Sequence, residues 1–316
     1  MSKSITRYSV KYTHFGEVIQ GVFSSISPNK CALSLPICID SKKNNSFIKK
    51  NYFKDSFLFS NASCYSEHIN SKILSLKPLN FYKSKLLLKK ILELNSKKKI
   101  SGKINIYSSI PECRGLGSST ATLISLIGLL KKKFKIRISN EDALKKCASI
   151  EPTDPILIKK NCLFSTKEGI KKSQLNFRFP KFIIYGFDTD PKGKGINTVK
   201  MKDIKYSKSE INFFKKSYDK LKKMKTYDKK IFKDMARKSL IINQKYFPKN
   251  KFKIILDLEL KLSNEFIVGA HSGTVIGFVY KYDKSNGVHF NDNKDNEILK
   301  VISKVFKSKI TKYLHV

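Results

Sequence analysis

The sequence predicts an α+β fold in two domains, and three observations predict it. Strand-like and helix-like stretches are interleaved without strict β-α alternation, which argues against a doubly wound parallel sheet. A glycine-bearing turn at Gly115-Leu116-Gly117 runs into a helical stretch, Ser118 to Phe134, that is apolar over most of its surface and so belongs in an interior. The chain has 316 residues, 41% of them hydrophobic, enough for two domains of ordinary size and a sizeable core.

The elements follow in order. Apolar positions alternate over Ser4 to Tyr12, Gly16 to Ser24 and Cys31 to Ile39, which predicts three short strands. Ser41 to Phe53 is polar and rich in Asn and Lys, as in a solvated loop. Pro78 to Leu94 has Leu86, Leu87, Ile91 and Leu94 at helical spacing. Lys103 to Tyr107 alternates like a strand. A helix follows over Ser139 to Ile150, with Ser139 as N-cap and Asp142 three residues on, as in a capping box. Phe182 to Phe187 is a buried-strand pattern leading into the loop chemistry of Asp188 to Gly195. Helices are predicted at Ser209–Met224, Asp228–Tyr246, Lys251–Ser263 and Asn296–Lys307, and strands at Phe266–Ala270 and Thr274–Tyr280. The polar stretch Lys167 to Gln174 suggests a boundary near residue 175, giving domains 1–174 and 175–316.

Composition excludes several classes. No run approaches the roughly 20 apolar residues of a membrane span. No apolar segment follows the basic N-terminus, so no signal peptide is expected, and a cytoplasmic protein is. The six cysteines form no C-x-x-C pair and no Cys/His cluster, so free thiols in a reducing compartment are expected. The net charge of +39 invites a nucleic-acid reading. Of 64 basic residues, however, only five are arginines, which leaves 59 lysines spread from end to end. Phosphate clamps and base readers favour the arginine fork. The lysines come with abundant Asn, Ile, Phe and Tyr, all encoded by AT-rich codons, so codon bias explains the charge. No specific nucleic-acid partner is expected, although the charge still attracts polyanions.

The strongest chemical signal is Ser109 to Ala121. Two glycines let the backbone approach a ligand closely, and small residues follow at a helix start, where unpaired N–H groups and the positive dipole end point outward. That combination is an anion site suited to phosphates. Ser118 and Ser119 add hydroxyls for a phosphate oxygen or a Mg²⁺ shell. No G-x-x-x-x-G-K-[ST] occurs, so this is not the P-loop of the large NTPase class. The bland alternative is a glycine turn that lets a helix pack tightly on its strand. Glu151 and Asp154, flanked by Pro152 and Pro155, are two carboxylates three residues apart. They suit Mg²⁺, or one accepts the proton of an attacking hydroxyl, or both are solvated charges after a helix.

Pro111 to Ala121 matches P-x-x-x-G-L-G-S-S-x-A at every defined position and resembles the nucleotide-binding motif of GHMP kinases. Three further segments resemble the L-threonine kinases of that superfamily: Gly16-Glu17-Val18-Ile19-Gln20-Gly21, Ser149-Ile150-Glu151-Pro152-Thr153-Asp154 and Ala270-His271-Ser272-Gly273-Thr274-Val275-Ile276-Gly277. The likeness runs from about residue 4 to residue 300. It implies a two-domain GHMP kinase fold, with an N-terminal ribosomal-protein-like β-α-β domain, a C-terminal ferredoxin-like domain and an active site between them.

It also implies ATP and Mg²⁺ as cofactors and L-threonine as acceptor, giving O-phospho-L-threonine for the cobalamin nucleotide loop. Nucleotide would be bound by Pro111, Arg114, Gly115, Leu116, Gly117, Ser118, Ser119, Thr120 and Ala121. Ser119 and Glu151 would hold the metal, Asp154 would activate or orient the hydroxyl, and Glu17, His271 and Ser272 would face the acceptor. Gln20 and Gly21 are read as structural. The threonine kinases have a small Cys-containing turn before the segment Gly16 to Gly21; the resemblance puts Thr13-His14-Phe15 there, and the bulky Phe15 implies a different acceptor pocket. Partners would be small molecules, with a homodimer allowed and no membrane. The rival readings are a GHMP kinase of homoserine, serine or a specialised metabolite, a basic RNA-binding protein, and a decayed kinase that serves only as a binding module, against which the intact loop Pro111 to Ala121 argues.

Overall fold

The computed structural model describes residues 5–22, 30–38, 60–65, 74–77, 82–95, 102–196, 204–283, 287–288 and 292–315. The loop expected at 41–53 lies outside them, as do residues 78–81 of the first predicted helix. Two sheets form the frame. The smaller has the order β1 (Ile5–Ser9), β4 (Ser60–Tyr65), β6 (Gly102–Ser108), β5 (Leu74–Lys77), antiparallel except for the β5–β6 pair. The larger has the order β13 (Thr311–Leu314), β9 (Phe182–Asp188), β11 (Val275–Asp283), β10 (Phe266–Gly269), β2 (Tyr12–Val22), β3 (Lys30–Cys38), β7 (Cys162–Ser165), β8 (Ile170–Gln174), and β12 (Gly287–Val288) joins β11. The α+β class holds. Strands from both sides of residue 174 share this larger sheet.

The helices are α1 (Tyr82–Glu93), α2 (Ser118–Phe134), α3 (Asn140–Ala148), α4 (Lys208–Lys223), α5 (Lys229–Gln244), α6 (Phe252–Glu259) and α7 (Asp292–Phe306). Each coincides with a predicted helix to within a few residues. Capping sets several starts: the Asp142 N–H donates to Ser139 Oγ at 3.0 Å, and Ser207 and Glu210 form a reciprocal capping box on α4. From Thr120 to Leu130 every residue of α2 is buried, because the helix crosses β1, β4 and β6 of the small sheet.

One expectation changes. Thr13, His14 and Phe15 are not a turn; they lie inside β2, which runs unbroken from Tyr12 to Val22. The polar stretch 167–174 is the turn and outer strand of the β7–β8 hairpin, and β8 is an edge where lysines discourage further pairing. β4, β5, β7, β8 and β13 were not predicted. They are four to six residues long, too short for alternation to register.

On β9 the side chains alternate between two cores. Phe182 and Ile184 join the main core, while Ile183, Tyr185 and Phe187 meet α6 and α7 on the opposite face. The main core is aromatic where β9, β10 and α5 meet. The fully buried Phe232 ring lies 5.0 Å from Phe179, 5.2 Å from Phe177, 5.2 Å from Tyr227 and 6.0 Å from Phe266. Replacing Phe232 by Ala is expected to lower stability by about 3–5 kcal/mol. Urea denaturation followed by circular dichroism checks this, and a loss under about 1 kcal/mol would mean that the cluster repacks.

Candidate functional site

The glycine loop joins β6 to α2. Gly115 and Gly117 have φ of +84° and +68°, the left-handed region that glycine adopts without penalty. A Cβ on Gly117 would lie 2.7 Å from both Thr13 and His14, and one on Gly115 would lie 2.0 Å from Ala270. The first α2 hydrogen bond here is Ala121 N–H to Gly117 O at 2.9 Å. The N–H groups of Ser118, Ser119 and Thr120 therefore have no acceptor in the helix, and Gly117 has no side chain to cap them. These donors and the positive helix end open on a cleft of about 130 Å³ lined by Gly115, Gly117, Ser118, Ser119, Thr120, Glu151 and Asp154.

The segment after α3 is pinned to the same helix start. Thr120 Oγ1 donates to Asp154 Oδ2 at 3.2 Å and accepts from the Asp154 N–H at 3.2 Å and from Thr153 Oγ1 at 3.1 Å. The Thr153 N–H donates to Thr166 O at 2.9 Å. Thr120 thus works on Asp154. Asp154 retains 16% exposure at the cleft, and its Oδ2 lies 3.2 Å from His14 Nε2. Burial raises the Asp154 pKa above the ordinary carboxylate range; the charge of His14 and the Thr120 hydrogen bond pull against it, and Glu17 and Glu151 push with it. Glu151 is 6% exposed, with Oε2 paired to Lys83 and Oε1 buried without a hydrogen-bond partner. A buried, half-satisfied carboxylate beside the Ser119 hydroxyl and a phosphate-type loop is an oxygen donor set that fits Mg²⁺.

Irregular pairing sets the acceptor side. The β2–β3 register shifts between His14 and Glu17 and again between Glu17 and Ile19. His14, Glu17 and Gln20 all line the cleft as a result, a spacing of three that a regular strand does not allow. Glu17 Oε2 accepts from the His271 N–H at 2.9 Å and lies 3.1 Å from its Nδ1, while His271 Nε2 lies 2.8 Å from Ser239 Oγ. This Glu–His–Ser series resembles a hydrolytic triad in order only. Ser239 is fully buried and its Oγ accepts the Gln20 N–H at 3.2 Å, so no substrate reaches it. Burial raises the Glu17 pKa, but the His271 hydrogen bond and the charges of His14 and His271 outweigh it and leave it lowered. His14, Glu17 and Asp154 each offer one ligand atom within 4.8 Å of the others.

The structure gathers Gly115, Gly117, Ser118, Ser119, Thr120, Glu151, Asp154, Glu17 and Ser272 around one cleft. Other expected residues stand back from it. The Arg114 guanidinium is consumed by Asp188 Oδ2 at 3.2 Å, Asp190 O at 2.7 Å and Gly193 O at 2.6 Å. Leu116 and Ala121 are core residues, and Leu116 O accepts from Thr13 Oγ1 at 2.6 Å. Pro111 is exposed in the loop approach. His271 is wholly buried and acts on Glu17. Gln20, expected to be structural, faces the cleft with an unpartnered Oε1, and His14 Nδ1 is likewise unpartnered. Phe15 faces away, over the Gly186–Gly277 cross-strand pair and 4.9 Å from Tyr313, so its bulk does not touch the acceptor side.

His14, Lys83 and Lys249 escaped the sequence reading. Lys249 is buried, and burial pulls its ammonium down to about 8 while the Glu17 charge opposes the shift. A second cleft of about 240 Å³ adjoins the first and shares Lys83, Cys113, Ser118 and Ser119. A larger hollow, about 610 Å³, lies between α4 and α5, where Lys216, Lys220, Lys230 and Lys238 surround Phe213; Asp234 is the one acid among its described lining residues. Its described lining lacks the paired carboxylates of the cleft.

No curated protein matches the chain in sequence. Residues 82–156 match the family model described as the GHMP kinases N terminal domain. A mevalonate kinase from Methanococcus jannaschii is 19% identical with a TM-score of 0.59, over 100% of this chain and 99% of its own. A putative homoserine kinase from Listeria monocytogenes is 14% identical with a TM-score of 0.57, over 99% and 96%. A homoserine kinase from Cytophaga hutchinsonii is 11% identical with a TM-score of 0.60, over 98% and 94%. Among the described residues no helix is long and apolar enough to cross a membrane. The chain thus has the fold of these kinases over its whole length, and residues 82–156 match the N-terminal domain of the GHMP kinases.

Proposed function

We propose that this protein is a cytoplasmic ATP-dependent kinase that phosphorylates the hydroxyl of L-threonine to O-phospho-L-threonine, a product the cobalamin nucleotide loop can use. One observation carries the kinase reading: Asp154, with His14 at 3.2 Å, faces the free N–H groups of Ser118 to Thr120 across a single cleft. The choice of threonine rests on the joint match of residues 16–21, 149–154 and 270–277. In this reading residues 1–174 form the nucleotide-binding domain and 175–316 the C-terminal domain.

The chemistry follows from the groups present. Polyphosphate lies on the loop from Gly115 to Ser119, held by backbone N–H groups and the α2 dipole. Glu151 and Ser119 would hold Mg²⁺, which neutralises phosphate charge when bound. The acceptor oxygen forms a bond to the γ-phosphorus as the bond to the β–γ bridging oxygen breaks, and its proton passes to Asp154. ADP leaves with the electron pair of the broken bond. The raised pKa makes Asp154 a better proton acceptor than an ordinary aspartate, and the charge of His14 limits the shift. Gln20 and Glu17 line the acceptor side. An acceptor such as homoserine, named in two structural neighbours, would use the same groups.

The direct test is ATP consumption with L-threonine, L-serine, L-homoserine and mevalonate. Turnover with threonine alone is expected, and turnover with another alcohol would sink the threonine assignment while keeping the kinase. Asp154→Asn should lower kcat by about 10²–10⁴-fold with little change in nucleotide affinity. A pH series adds a second expectation. Activity needs ionised Asp154 and so falls as pH drops through its raised pKa, placing the acid limb above the ordinary aspartate value of about 3.9. His14→Ala removes a charge that lowers this pKa, so the limb should move to higher pH; an unmoved limb would separate Asp154 from the step.

A further inference from the structure

Neither the nucleotide loop nor the acceptor side accounts for the ammonium of Lys83. Lys83 is the second residue of α1, in a first turn that has no acidic residue, where the helix dipole disfavours a cation. Its side chain is 36% exposed, so water is open to it. The chain nevertheless turns inward: Nζ donates to Ser119 Oγ at 3.1 Å and pairs with Glu151 Oε2. These are the two oxygens assigned above to the divalent cation. An ion bound at about 2.0–2.1 Å needs the same lone pairs that Lys83 now uses, and two cations do not share them. Glu151 Oε1 stays buried and unpartnered, so the ammonium satisfies only half of the carboxylate.

We propose that Lys83 is a tethered cation that holds the metal position while the nucleotide site is empty and gives it up when metal and nucleotide arrive together. Lys83 lines both adjoining clefts, so a rotation of its side chain carries Nζ from Glu151 into the one bounded by Ser108, Glu112, Ser118 and Thr122. A nucleotide polyphosphate beside Ser118 supplies the anion that Lys83 loses when it leaves Glu151. Metal alone therefore binds weakly, because it must first displace the Lys83 ammonium from Ser119 and Glu151. With nucleotide present the displaced ammonium meets phosphate, and metal and nucleotide favour each other. The proposal rests on the kinase reading for the identity of the polyphosphate, but not for the competition at Ser119 and Glu151.

The test is Mn²⁺ binding to the full chain, read by loss of the free-ion electron paramagnetic resonance signal, with no nucleotide present. Lys83→Met should bind Mn²⁺ at least about tenfold more tightly than the wild type, and Lys83→Arg, which keeps a cation, should not. Lys89→Met is the control for net charge: Lys89 is 76% exposed on the same helix, and its loss should leave Mn²⁺ affinity unchanged. In EDTA, Lys83→Met should bind ADP about tenfold more weakly. Adding Glu151→Gln to Lys83→Met should abolish the gain in Mn²⁺ affinity. Equal Mn²⁺ affinity in the wild type and Lys83→Met, or an equal gain in Lys89→Met, would overturn the proposal. If Mn²⁺ tightens as expected but no acceptor supports ATP turnover, the tethered cation stands and the kinase reading falls; turnover with unchanged Mn²⁺ affinity reverses the two.

Discussion

The arrangement depends on how one residue of the glycine loop is held. Arg114 O accepts the N–H groups of Thr274 at 3.1 Å and Val275 at 3.3 Å, while its guanidinium is fixed by Asp188, Asp190 and Gly193. Gly273 and Gly195 allow the close approach: a Cβ on the first would lie 2.2 Å from Arg114 O, and one on the second 2.4 Å from Cys113 O. The phosphate-type loop is therefore clamped from behind by the C-terminal half of the chain. The carbonyls of Leu116 and Gly117 are engaged as well, by Thr13 Oγ1 and the Ala121 N–H. A rigid loop does not reorganise when an anion arrives, and that is what makes preorganised donors effective.

The cleft inverts the charge balance of the molecule. The chain carries 64 basic and 25 acidic residues, yet three of those acids, Glu17, Glu151 and Asp154, converge on one small volume. Clustered carboxylates repel and raise one another's pKa unless cations intervene. His14 and His271 serve Glu17 and Asp154, and Lys83 serves Glu151. Each acid is thereby left in a different state: Glu17 held ionised, Asp154 biased toward taking a proton, Glu151 half satisfied. The surrounding lysine field draws in polyanions at low ionic strength and is screened within about 8 Å at physiological salt, so contacts inside the cleft decide what stays bound.

Much of this was legible in the sequence, for identifiable reasons. The turn at Gly115–Gly117 and the helix after it were plain because glycine spacing and an apolar run are strong, local signals. Glu151 and Asp154 stood out through their prolines. His14 did not, because it was read as part of a turn when it belongs to a strand whose register shifts twice. That same irregularity brings Gln20 round to the cleft, where alternation would not put it together with Glu17. Lys83 was invisible for a statistical reason: among 59 lysines, none is distinguished by its type. Arg114 was misjudged because a motif match does not reveal which way a guanidinium turns, and the pairing of the loop with Asp188 is a long-range contact.

Strand β2 keeps two sets of residues apart. His14, Glu17 and Gln20 face the cleft, while Phe15, Val18 and Ile19 are wholly buried in the core, with the Phe15 ring seated over paired glycines of β9 and β11. Mutational drift on one side is thus insulated from the other. A lineage can exchange the groups that read an acceptor without disturbing the socket that holds the sheet, and a change such as a small residue giving way to Phe15 can be absorbed by glycines on neighbouring strands while the cleft stays as it was. Sequence divergence along this strand is for that reason a poor measure of divergence in chemistry.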